Sequence, residues 1–149
     1  MTTPPEFYPM PAFPTLSVRD LEASSRWYQE ALGFQHVFTM PGPGGRPGLV
    51  HLRWARYADL LLRAAAAPPG GPAGLGITLT FAVTDGTVDA IAERACAAGA
   101  VFVQEPGDRP WNARDFTLAD PDGFRLTFTK GPLDPNLTIG AVAGRAAKA

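Results

Sequence analysis

Lone pairs, acids and aromatic faces do protein chemistry, and few residues of this chain offer them. His36 and His51 are its two imidazoles, 15 positions apart and without the HxH or HxxxH spacing that brings two histidines to one metal. Either could serve alone as a general base; the commoner role is a partly buried, hydrogen-bonded strand histidine. Asp59 and Glu105 could in principle ligate a cation, but both read as solvated surface carboxylates. Cys96, the single thiol, reads as a small apolar residue on a helix, and no serine or cysteine is pinned beside an imidazole. Trp111 stands out. Arg109 and Arg114 flank it, so an indole face and two guanidinium groups could stack on a planar molecule or clamp an acidic one. Arg114 could equally pair with Asp115 at the surface and contribute little. Trp54 is the other tryptophan that could meet a ligand, although a strand position favours core packing.

These residues need a scaffold. Phe116 and Leu118, then Phe124, Leu126 and Phe128, alternate with polar neighbours, the period of half-buried strands. Asp120-Pro121-Asp122-Gly123 between them has the residues of a tight turn, so a hairpin ends the second half. Earlier in the chain, Leu16 and Val18 alternate with Phe13, Thr15 and Ser17. Asp20 is placed to cap a helix with Leu21, Ser25, Tyr28 and Leu32 on one face, and Gly33 to end it. Phe81-Ala82-Val83-Thr84-Asp85 repeats Leu16-Ser17-Val18-Arg19-Asp20 at an offset of 65 residues, again followed by a helix, with Val88, Ile91, Ala92 and Ala95 on one side. Each half reads strand, helix, strand, strand, strand. The expected architecture is α+β, two βαβββ modules in tandem (about residues 12–65 and 75–130) forming curved mixed sheets around a concave pocket. Together they make a single domain over 1–149, with an extended arm at 1–11 and a tail at 133–149 that is either a short helix or disordered. The stretch 41–47 reads as a mobile loop.

Composition narrows the partners. Thirteen basic against 14 acidic residues leave no electrostatic footprint for nucleic acid. No apolar run approaches the length of a membrane span and no export signal is visible, so a cytoplasmic location is expected. One unpaired cysteine suits a reducing compartment.

In order along the chain, Leu16-Ser17-Val18-Arg19-Asp20, Ser25-Arg26-Trp27-Tyr28, Leu32-Gly33-Phe34, Ala98-Gly99-Ala100, Pro110-Trp111 through Arg114-Asp115-Phe116 and Asp120-Pro121-Asp122-Gly123 resemble the vicinal oxygen chelate superfamily. That superfamily holds glyoxalases, extradiol dioxygenases, fosfomycin-resistance enzymes and bleomycin-resistance proteins. The resemblance spans about residues 12–130 and is nearest the bleomycin-resistance type, which implies a metal-free homodimer holding a drug between aromatic side chains. The metal-dependent relatives imply ligands five residues before Val18, five before Val83 and four after Gly123, with a fourth on the strand after the turn at 55–58. In this chain those positions are Phe13, Thr78, Thr127 and Leu61. Phenylalanine and leucine have no lone pairs, and neutral hydroxyls are poor ligands for zinc, iron or manganese. No metal or other cofactor is therefore expected.

The resulting expectation is a binding surface made by Phe13, Thr15, Trp54, Leu61, Thr78, Arg109, Trp111, Asn112, Arg114 and Thr127. It would sequester a small aromatic or natural-product molecule without catalysis. Bleomycin-type drugs are cationic, and near-neutral charge steers them weakly, so another antibiotic or a hydrophobic metabolite fits as well. The rival expectation is a glyoxalase- or dioxygenase-like enzyme with a displaced metal site or with His36 or His51 as acid or base. A third is an accessory protein of the same fold with no small ligand.

Overall fold

Residues 5–67 and 70–149 are described in a computed structural model of the chain. It divides into two compact units, Met1–Gly71 and Pro72–Ala149. The first contains β1 (Thr15–Val18), α1 (Leu21–Leu32), β2 (Gln35–Pro41), β3 (Pro47–Ala55) and β4 (Ala58–Ala64). The second contains β5 (Thr78–Ala82), α2 (Val88–Ala97), β6 (Val101–Arg109), β7 (Ala113–Ala119), β8 (Arg125–Lys130) and a further helix, α3 (Ile139–Ala146). The sheet orders are β1-β4-β3-β2 and β5-β8-β7-β6, with the first pair parallel and the others antiparallel in both. The internal repeat is thus a repeat of topology.

The expected curvature requires correction, because neither sheet is closed or strongly curled. Each has only four strands, which leaves β1 and β2, and likewise β5 and β6, as open edges.

Local chemistry explains the helices. Asp20 accepts a bond from the Ala23 amide at 2.9 Å, and Gly33 takes φ 76°, a left-handed angle that lets its N–H reach the Gln29 carbonyl. We expect Asp20→Ala to cost about 1 kcal/mol in urea unfolding, since the orphan amides of the first turn lose their partner. Thr87, rather than a residue of the repeated motif, caps α2 by accepting from the Ala90 amide at 3.1 Å.

In the first unit the buried side of the sheet presents Leu16, Val18, Val50, Leu52, Leu60 and Leu62, and α1 buries Leu21, Tyr28, Ala31 and Leu32. In the second, Phe81, Phe128 and Phe116 form a run of stacked rings 5.2 and 5.4 Å apart, next to buried Val88, Ala92 and Ala95 of α2. Each buried valine, leucine or phenylalanine contributes about 1.5–3 kcal/mol. At the β7–β8 turn, Asp120 Oδ1 accepts from the amides of Asp122 and Phe124, both at 2.9 Å. Gly123 has φ 100°, and a Cβ there would lie 2.8 Å from Cβ of Pro72.

The segment at 41–47 closes between β2 and β3 through a 3₁₀ turn, Pro43–Gly45, with Gly42 N donating to Arg46 O at 2.6 Å. Of the tail's two readings, the helix is the one realised.

Candidate functional site

The second unit carries an open cleft of ≈ 800 Å³ at one end of its sheet. Strand ends supply Ala82, Thr129 and Lys130, the β6–β7 turn supplies Trp111 and Asn112, and the tail supplies Ile139 and Val142. Alternation explains the arrangement. Ala82 pairs with Thr129, and Thr129 with Asp115, so one row of the sheet face away from the phenylalanine core runs towards Trp111. Asn112, at φ 65°, turns the chain and fixes the tail: its side chain donates to Asp134 O at 2.8 Å and accepts from Asp134 N at 2.9 Å.

Beneath the tryptophan lies a buried carboxylate. Asp115, 3 % exposed, accepts from Arg109 Nε at 2.7 Å and from Trp111 Nε1 at 3.2 Å, while Arg109 also donates to the Asp115 and Glu105 carbonyls. The indole N–H is therefore committed inward. What the 51 %-exposed Trp111 offers outward is its ring. Ile139, 90 % exposed, adds apolar surface.

Arg114 faces the other way. Successive strand residues point to opposite faces, so Arg114 lies opposite Asp115 and instead bonds Asp89 twice at 2.7 Å and Asp108 at 2.8 Å. The Arg114 guanidinium holds the Asp89 carboxyl below its ordinary value. Those bonds tie α2 to its sheet rather than to Asp115.

The remaining expected positions are dispersed. Thr15 and Leu61 are direct partners on β1 and β4, and Phe13 is exposed just before β1. Thr78 pairs with Arg125, and Thr127 Oγ1 is 2.7 Å from Thr117 Oγ1. Trp54 is half-buried on β3 and alternates with Arg53. His36 is exposed and bonds Thr39 at 2.7 Å. Arg109, Trp111 and Asn112 are brought into one constellation by Asp115 and the β6–β7 turn, and Thr15 and Leu61 are brought side by side in the other unit.

A second polar centre lies in the first unit. Asp59, far from a solvated surface group, is 3 % exposed. It accepts from Arg53 Nε at 3.0 Å, stands 2.7 Å from His51 Nε2 and accepts from the Tyr8 hydroxyl at 3.1 Å. Burial works against its charged form, yet the bonds from Arg53, His51 and Tyr8 outweigh that effect and leave the carboxyl below its ordinary value. Sequence reasoning named Asp59 but took it for a surface carboxylate, and it missed Arg53. Hairpin arithmetic would not have found the pair: a turn at 56–57 sets residue 54 opposite residue 59, and it is a register shift between Arg53 and Ala55 that brings Arg53 there instead.

The family's metal positions do not suit a metal. Phe13 and Leu61 have no donor atom, Thr78 is a neutral hydroxyl and Thr127 is bonded to Thr117. Among the described residues no group of three or more His, Cys, Asp and Glu is disposed to hold a cation.

Residues 12–128 match the Glyoxalase/Bleomycin resistance protein/Dioxygenase superfamily. The chain belongs to that superfamily. Among solved structures, this superfamily member is similar to TioX from Micromonospora sp. ML1, at 25 % identity and TM-score 0.65, over 85 % of this chain and 98 % of that one. It is similar to a glyoxalase/bleomycin resistance protein from Streptomyces sp. CB03234, at 26 % identity and TM-score 0.59, over 78 % and 96 % of the two chains. A glyoxalase-related enzyme from Fulvimarina pelagi shares 25 % identity at TM-score 0.63, over 83 % and 90 %. No curated protein matches the sequence. Among the described residues no helix is long and apolar enough to cross a membrane.

Proposed function

We propose that this superfamily member binds and sequesters a small aromatic or natural-product molecule, without a metal and without transforming it. The observation that carries the reading is the cleft around Trp111. It joins an exposed indole face to apolar Ile139 and Val142, with Thr129 as the polar group that would orient a guest, while Asn112 holds the tail and Lys130 donates to the Gly86 carbonyl at 2.6 Å. Its size suits a drug-sized molecule. The donor-poor residues at 13, 61, 78 and 127 support the metal-free half of the proposal. The similar proteins include a glyoxalase/bleomycin resistance protein, and for resistance binding alone would suffice, since free drug falls with binder concentration and affinity. A homodimer accompanies the reading, to be checked by light scattering.

One observation favours an enzyme instead. His51 Nε2 lies 2.7 Å from the buried Asp59 carboxylate, the pairing by which acids orient a catalytic imidazole. Two measurements separate the readings. Elemental analysis of purified protein should find no stoichiometric divalent metal, and calorimetric titration with a panel of aromatic antibiotics should find a ligand recovered unchanged. Stoichiometric metal, or a ligand recovered as product, would favour the enzyme.

A further inference from the structure

The arm at residues 5–8 does not hang free. It lies on the first unit, with Tyr8 in a slot between two guanidinium groups and a turn. The Arg53 guanidinium carbon sits 4.2 Å from the centre of the Tyr8 ring and that of Arg56 5.3 Å from it, while Tyr57 meets the ring edge-on at 4.8 Å. The end of the slot reads a hydroxyl from both sides. Tyr8 Oη donates to Asp59 Oδ1 at 3.1 Å and accepts from the Tyr57 amide at 2.9 Å.

We propose that this slot is a binding site for a phenolic small molecule, occupied in the free protein by the chain's own Tyr8. Here a buried carboxylate, already held by Arg53 and His51, keeps one acceptor position for an O–H, and a main-chain N–H supplies the complementary donor. Tyr57 itself takes φ 64°, a conformation costly for an aromatic residue, in the turn whose amide meets the hydroxyl. Guanidinium over the ring face adds the attraction that arginine has for π surfaces.

The neighbouring contacts define the rest of the guest. Arg53 Nη1 donates to the Glu6 carbonyl at 2.8 Å, so displacing the arm frees a donor for a carbonyl or ether oxygen beside the phenol. Phe7 covers Phe38 and His51 at ring-centre distances of 5.6 and 6.4 Å, and its departure would uncover room for a second ring. The arm is lightly fastened there: Phe7 is mostly exposed, and the Glu6–Arg56 pair lies at the surface. Such an occupant competes with a ligand without excluding it.

This slot belongs to the first unit, and its test is independent of Trp111. The probe is p-cresol, with 4-methylanisole as the control that lacks the O–H, and the readout is the amide resonance of Tyr57 in full-length Tyr8→Ala. We expect saturable shifts with p-cresol at about 1 mM and none with 4-methylanisole. Affinity for wild type should be about tenfold weaker, because Tyr8 must first leave. Tyr8→Ala combined with Asp59→Asn should lose the response. Should the alanine variant not fold, Tyr8→Ser must give the same response. A folded Tyr8 variant with no saturable p-cresol shift, or with an equal response to 4-methylanisole, would overturn the proposal.

Discussion

Asp59→Ala should lower stability by about 3–5 kcal/mol, a large part of the 5–15 kcal/mol of a typical domain. The loss is not that of a surface ion pair. Asp59's side chain is wholly buried, and removing it leaves the largely buried guanidinium of Arg53 and the buried imidazole of His51 facing a hole. Desolvation has already been incurred on folding, and without the carboxylate nothing offsets it. Thermal unfolding should fall by about 10 °C. A change of under about 1 kcal/mol would mean that water replaces the carboxylate and that the cluster is far looser than its distances imply.

The same residue sets a pH dependence. Its folded pKa lies below the ordinary 3.8, so in acid the unfolded chain takes up the proton first. The Asp59 contribution is therefore fully present above about pH 5 and is lost as pH falls through 3.8 and on through the lower folded value. Asp59→Asn should be less stable than wild type at neutral pH and should flatten this acid limb in denaturant titrations. An unchanged slope between pH 5 and pH 3 would show that other carboxylates govern it.

Trp111→Ala should weaken capture of the aromatic ligand about 30-fold, or about 2 kcal/mol, as expected for a tryptophan at the centre of a contact. Trp111→Phe should retain most of the affinity. The indole N–H is spent on Asp115 Oδ2, so the guest meets the ring face, and phenylalanine keeps a face. Calorimetry is the appropriate measurement, because the substitution removes the local fluorophore. Equal losses in both variants would indicate that the indole, and not merely its stacking surface, makes the contact. No loss in either would remove the cleft from the binding reading.

The sequence by itself determined the repeat and most of the local structure. Val18 and Val83, each followed by a helix with a glycine after it, need only periodicity and turn chemistry, which act between neighbours in the chain. The same local rules placed Asp120 to Gly123 at a hairpin and Asp20 at a helix start.

Tertiary structure decided which polar groups meet. Tyr8 and Asp59 are 51 positions apart, Asp89 and Arg114 are 25 apart, and no spacing rule joins them. One of the bonds to Asp59 comes from Tyr8, in an arm that composition alone marks as extended chain, and the partner of Arg114 depends on which face its strand turns towards α2. Curvature is likewise a collective property, set by strand number and free edges rather than by any residue, and here the sheets stay open. Short-range forces write elements into a sequence. The environment of a charge is made by segments that meet only on folding, because its cost depends on everything that replaces water around it.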